Sequence, residues 1–192
     1  MSMKMDLLAG SGNDEFYTPK YAVTPILDHI PKGSTIWCPF DTEDSWFVKV
    51  FLDNGHKVIK THISEGKDFF NYEPDEEYDY IISNPPYSLK NEVFYRLFQL
   101  EKPFAMLVGI VGIFEGKFRT NLFRNNKFEV LYLTTRVDYF KDYIEQKPSK
   151  SPPFQSAYIC SGILEKQILF KDLEKHDLSG EEQINLFEGF EL

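Results

Sequence analysis

Six runs rich in β-branched and aromatic residues recur along the chain, "STIWCPF", "HKVIKTHI", "YDYIISN", "FAMLVGIVGI", "FEVLYLTTRVDYF" and "SAYICSGIL", and helical patterns separate most of them. This alternation constrains the fold more than any other feature. Short apolar runs lacking a polar face suit strands buried on both sides, and strands alternating with helices build a largely parallel sheet covered by helices. The expected architecture is a single-domain, Rossmann-like α/β sheet of about seven strands with helices on both faces. "DSWFVKVFLDN", from Asp44 to Asn54, puts Trp46, Phe47, Val50 and Phe51 on one helical face and stops before Gly55. "NEVFYRLFQL" predicts a helix from Asn91 to Leu100 with Pro103 just beyond it, and a third helix near Gly116 to Asn125 carries Lys117, Arg119 and Arg124. Between Lys141 and Ser156, "KDYIEQKPSKSPPFQS" reads as a long loop before the last strand.

With 192 residues and 42% hydrophobic content, the chain can bury one substantial core, assigned to residues 1–170, followed by an acidic tail over residues 171–192. A net charge of −9 argues against a broad basic surface gripping phosphates, though not against a local patch. Cys38 and Cys160 both lie in apolar strand-like runs and read as buried thiols rather than a disulfide or metal site. No metal is expected. No charged leader precedes an apolar segment and no apolar run reaches membrane-spanning length, so the expected location is the cytoplasm, away from membranes.

The stretch "IISNPPY", Ile81 to Tyr87, begins as a buried strand and ends in residues no strand tolerates. Each proline lacks the N–H a ladder needs, and each pushes the residue before it toward extended geometry. Asn84 and the Pro85 carbonyl therefore stand as unused acceptors at a strand's carboxyl end, on a segment stiffened by Pro86. Two such acceptors can hold the hydrogens of an exocyclic amine and favour its pyramidal, nucleophilic form, while Tyr87 stacks on the flat substrate. Asn84-Pro85-Pro86-Tyr87 resembles the catalytic motif of S-adenosylmethionine-dependent methyltransferases that act on planar amino or amide nitrogens. The adenine-N6 class is the most similar, in particular the compact enzymes carried by bacteriophages and mobile elements.

The resemblance runs from about Asp14 to Ile163 and implies further site residues. Phe16, Tyr17, Thr18 and Pro19 match a Phe/Tyr-Thr-Pro turn that helps hold the methionine moiety of S-adenosyl-L-methionine; Thr18 as N-cap with Pro19 in the first helical position is equally an ordinary helix start. The cofactor loop after the first strand reads "WCPFDTEDS", where Pro39 matches and the usual glycines are missing. Asp41, Glu43 and Asp44 either meet the cofactor's ammonium or cap the following helix, which Ser45 begins. His62 falls where a ribose-binding acid is usual, and either bonds a ribose hydroxyl or serves a local structural role. Asp68 and Phe69 fit the pair that brackets the cofactor adenine.

For a duplex, the adenine must be flipped into the pocket, with Tyr87 and Phe16 or Tyr17 replacing lost stacking. DNA is favoured as substrate over RNA. There is no room for a separate target-recognition domain, leaving Lys117, Arg119, Arg124, Lys147 and Lys150 either to touch phosphate or simply to solvate the surface. Protein-glutamine methylation and a non-catalytic binding module on the same scaffold remain open. In the tail, Gln183-Ile184-Asn185-Leu186-Phe187 resembles the peptide with which bacterial replication proteins dock on the sliding clamp; alternatively, Ser179 and Glu182 form a capping box that starts a short packed helix.

Overall fold

The computed structural model describes residues 16–147 and 154–174. Seven strands form one sheet: β1 (Thr35–Cys38), β2 (Lys57–Lys60), β3 (Tyr80–Ser83), β4 (Phe104–Gly109), β5 (Glu129–Leu133), β6 (Ser156–Ser161) and β7 (Ile168–Lys171). Their order across the sheet is β2-β1-β3-β4-β6-β5-β7. Four α-helices are described: α1 (Lys20–Leu27), α2 (Trp46–Asp53), α3 (Lys90–Leu100) and α4 (Lys117–Asn125). The chain leaves β1 for β2 on one side and reaches β3 on the other, with Ile36 opposite Tyr80 and Trp37 opposite Ile81. That reversal opens a crevice above the carboxyl ends of β1 and β3, where open α/β sheets bind ligands.

Alternation along each strand splits the core into two layers. Ile36, Cys38, Ile82, Ala105 and Leu107 face α1 and α2, whereas Trp37, Ile81, Phe104, Met106 and Val108 face α3 and α4. Both faces are thus covered, which is why β3 and β4 read as unbroken apolar runs. Both cysteines are free and buried. No helix among the described residues is long and apolar enough to cross a membrane.

Several details differ from the sequence reading. The sheet is largely parallel as expected, and the one strand that makes it mixed is β6, which runs antiparallel to both β4 and β5. The seventh strand is "ILFK", at the very end of the segment assigned to the core; Ile168 and Phe170 on it are exposed, so it lacks the unbroken apolar signal of a buried strand. The resemblance implies a motif at the end of a fourth strand, whereas Asn84 follows the third strand in chain order, since residues 61–79 form turns and one short 3-10 turn. Helix α1 begins one residue later than expected, at Lys20, with Pro19 as N-cap and no side-chain cap. Pro25 lies inside α1; the Tyr21 carbonyl that its missing N–H would have reached accepts from Thr24 Oγ1 instead, at 3.2 Å.

Candidate active site at the carboxyl ends of β1 and β3

β3 ends at Ser83 because Pro85 and Pro86 cannot extend the ladder, and a 3-10 turn, Tyr87–Leu89, then leads into α3. The side chain of Asn84 is turned inward. Its Nδ2 donates to the Phe16 carbonyl at 2.9 Å, which fixes the amide plane and leaves Oδ1 buried without a hydrogen-bond partner. Pro85 is buried, while Pro86 and Tyr87 are half-buried.

Aromatic rings wall this amide. The Tyr87 ring lies 6.2 Å from Phe16, 6.2 Å from Tyr139 and 5.2 Å from Phe154, edge-on to the last two. Phe154 is pressed against the end of β4, where a Cβ on Gly109 would come within 2.5 Å of its ring. Lys90 crosses the same corner: its Nζ donates to the Gly109 carbonyl at 3.2 Å and sits 5.6 Å from the Tyr87 ring centroid.

The segment Phe16 to Pro19 is held by a two-way backbone bridge, Tyr17 N to Phe140 O at 2.8 Å and Phe140 N to Tyr17 O at 3.1 Å. This places Thr18 beside the site, 3% exposed, with its Oγ1 buried and unpartnered. Tyr17 stacks on Tyr143 at 4.1 Å, so the residues after Tyr139 fold back over the carboxyl end of β1. Asp142 pins that cover by accepting from Ile144 N, and Trp46 Nε1 donates to Gln146 Oε1.

Asp41 joins the two strands across the crevice. Its Oδ1 accepts from the Ser45 hydroxyl at 2.5 Å and its Oδ2 from the Ser83 hydroxyl, while Ser45 also caps α2 by accepting from Phe47 N. Burial raises the Asp41 carboxyl to about 6, against the opposing pull of the two hydroxyl bonds. Burial likewise raises the Tyr139 hydroxyl to about 12 and pushes up that of Tyr143, to which the charge of Asp41 adds. In this structure Asp41 therefore ties Ser83, the residue before Asn84, to the start of α2. Its neighbours Glu43 and Asp44 point away and pair with Lys60 and Lys49.

The remaining predicted residues make contacts other than with Asn84. Pro39 is buried, and Phe40 after it packs on Phe69 at 4.9 Å; Phe69 is 2% exposed within the α3/α4 layer, also touching Trp37 and the Arg96 guanidinium. Asp68 uses its carboxylate locally, accepting from Phe70 N and Asn71 Nδ2. His62 bonds Ser64 through Nδ1 and opens a 3-10 turn after β2. Sequence reasoning missed Tyr139, Tyr143 and Phe154, which arrive from the β5–β6 connection; an unusual density of aromatics in "VDYFKDYIEQ" was the available signal. Lys150 and Gln183–Phe187 lie outside the described residues, and Lys147 is exposed and paired with Glu145. The recorded concavities, about 530 Å³ near Phe123 and about 220 Å³ beside Asp28, are both away from Asn84. The candidate site is the aromatic-walled end of β3 rather than those grooves, because there the buried Asn84 Oδ1 and Thr18 Oγ1 lack partners beside a cluster of rings.

No protein-family model and no curated protein matches the chain. One similar solved structure is the TehB-like SAM-dependent methyltransferase from Corynebacterium glutamicum, 13% identical, with a TM-score of 0.42 over 83% of this chain and 94% of that one. A likeness this distant leaves the function to be read from the site itself.

Proposed function

We propose that this chain is an S-adenosyl-L-methionine-dependent methyltransferase acting on the exocyclic N6 amine of adenine, in DNA. The observation that carries the reading is Asn84, whose Nδ2 is anchored and whose buried Oδ1 has no partner at the sheet's switch point. A buried acceptor left unpaired costs about 1–3 kcal/mol, and a donor on a bound ligand removes that penalty. An amine attached to an aromatic ring is such a donor, and Phe16, Tyr87, Tyr139 and Phe154 supply the apolar walls that a flat base needs.

The donor set also suits the proposed cofactor. Bound there, S-adenosyl-L-methionine would supply an electrophilic methyl group. Thr18 Oγ1, the second buried polar atom without a partner at this site, would donate to an amino-acid carboxylate, and Asp41 gives the same corner a buried carboxyl that a cationic group would favour in its charged form. The cover formed by Tyr17 and Tyr143 has to part for a ligand to reach Thr18 and Asp41. Asn84 Oδ1 would then accept from the substrate amine and aim its lone pair outward, and Tyr87 would hold the base plane against rotation.

DNA is preferred over RNA because the Gln183–Phe187 segment matches a clamp-docking pattern, which would supply affinity that a chain of net charge −9 lacks. A glutamine amide would satisfy Asn84 equally well. The deciding experiment is transfer of tritiated methyl from labelled cofactor to duplex DNA, single-stranded DNA, RNA and a glutamine-containing peptide, with the product base identified. Label in N6-methyladenine is expected. Label only in peptide, or cofactor binding by calorimetry with no transfer to any acceptor, overturns the reading.

A further inference from the structure

Four of the nine exposed large apolar side chains among the described residues fall in one stretch of the chain. Tyr95, Val111, Phe114 and Phe118 are 48%, 66%, 46% and 51% exposed, and all belong to α3, α4 or the turn joining β4 to α4. Tyr95 and Phe118 lie on adjacent helices with ring centroids 6.0 Å apart. The same region reverses the chain's charge: Lys90 to Lys127 contains seven Lys and Arg against three Glu, in a protein of net charge −9. Lys117 and Arg124 are exposed and form no ion pair among the described residues.

This surface is rigid and continuous with the pocket. The Arg119 guanidinium donates to Gly112 O at 2.7 Å, Ile113 O at 3.2 Å and Asn91 Oδ1 at 2.8 Å, fastening the turn that bears Val111 and Phe114 to both helices. Lys90 fastens the near end of the turn, through Gly109, beside the Tyr87 ring. Arg119, grouped in the sequence reading with possible phosphate contacts, is instead occupied by the protein's own backbone. An exposed apolar face set in basic surface suits a ligand that presents flat rings and negative charge together. Unpaired nucleotides do so, because each exposes a base face for stacking and a phosphate for Lys or Arg. A base-paired duplex hides its base faces, and an acidic peptide offers charge with few flat rings.

We propose that the strip formed by Val111, Phe114, Lys117, Phe118 and Tyr95 is a track for single-stranded nucleic acid leading away from the Asn84 pocket, with bases on Phe114 and Phe118 and phosphates near Lys117 and Arg124. This rests on the methyltransferase reading for its purpose and not for its test. The substrate class it names is a strand already unpaired beside the target base, so that no second domain is needed to open a duplex.

The test is fluorescence anisotropy of a labelled 20-nucleotide single strand, with its duplex and an RNA of the same sequence as further probes, titrated with full-length protein without cofactor. The single strand should bind at least tenfold tighter than the duplex. Phe118→Ala and Phe114→Ala should each weaken single-strand binding about tenfold, and Lys117→Glu with Arg124→Glu should weaken it and flatten its dependence on salt. Both rings are about half exposed, and Phe114 also packs on Phe123 and Phe128, so melting temperatures measured on each variant separate lost contacts from lost folding. Single-strand binding equal to duplex binding, or indifference of well-folded Phe114 and Phe118 variants, overturns the track even if methyl transfer is found. Ring-dependent strand binding without methyl transfer to any acceptor keeps the track and overturns the enzyme.

Discussion

Replacing Asp41 with asparagine tests whether a buried carboxylate is kept at the crevice against the interests of stability. The folded protein holds this carboxyl at about 6, against an ordinary value of 3.8, mainly because burial disfavours its charge. That difference corresponds to about 3 kcal/mol between the protonation states. The sign follows from linkage. Below pH 4 both the folded and unfolded chains carry the proton and no penalty is felt. As pH rises through 6 the unfolded chain has already released it, so the folded form loses about 3 kcal/mol by the time Asp41 is ionised. Asparagine has no charge to bury. It must still accept from one serine and donate to the other where the carboxylate accepts from both, a rearrangement that costs about 1 kcal/mol. Asp41→Asn should therefore be about 2 kcal/mol more stable than the parent at pH 7, about 4–8 °C in melting temperature for a chain of this size, with the advantage vanishing toward pH 4. Urea or thermal denaturation from pH 4 to 8 measures this directly. Parallel pH–stability curves for the two proteins, or a less stable variant at pH 7, would refute the reasoning.

Asn84→Ala should reduce methyl transfer by at least a hundredfold with cofactor affinity within threefold of the parent, because the lost acceptor serves the substrate amine; calorimetry and single-turnover assays separate the two effects. Tyr87→Phe should retain most transfer and Tyr87→Ala lose most of it, and equal losses would shift the role from ring to hydroxyl. Thr18→Val keeps the side-chain shape and removes a buried hydroxyl without a partner, so the ligand-free protein should gain about 1 kcal/mol while binding cofactor more weakly; a fall in melting temperature would contradict the account of Thr18. Gly109→Ala drives a methyl into the Phe154 ring at 2.5 Å and should cost about 1–3 kcal/mol, read by denaturation.

How much of this was legible beforehand can be judged residue by residue. Six strands were visible as runs rich in β-branched and aromatic residues, most plainly β3, β4 and β6, where burial on both faces removes most polar residues, and the break at Asn84-Pro85-Pro86 was visible because proline chemistry is local. The seventh strand was not, since Ile168–Lys171 lies at a sheet edge where alternate residues remain exposed. The antiparallel entry of β6 between β4 and β5 was also hidden, because an apolar run carries no mark of direction. Asn84 was readable as a candidate, yet the lack of a partner at its Oδ1 depends on the Phe16 carbonyl, 68 positions earlier, taking the other end of the amide. The Asp41–Ser83 bond and the Tyr139 and Phe154 walls are likewise contacts between distant segments. Local sequence determines what each residue can donate, accept or stack; which of those capacities is satisfied, and which is left for a ligand, is decided only when the sheet order brings the ends of β1, β3 and β4 together.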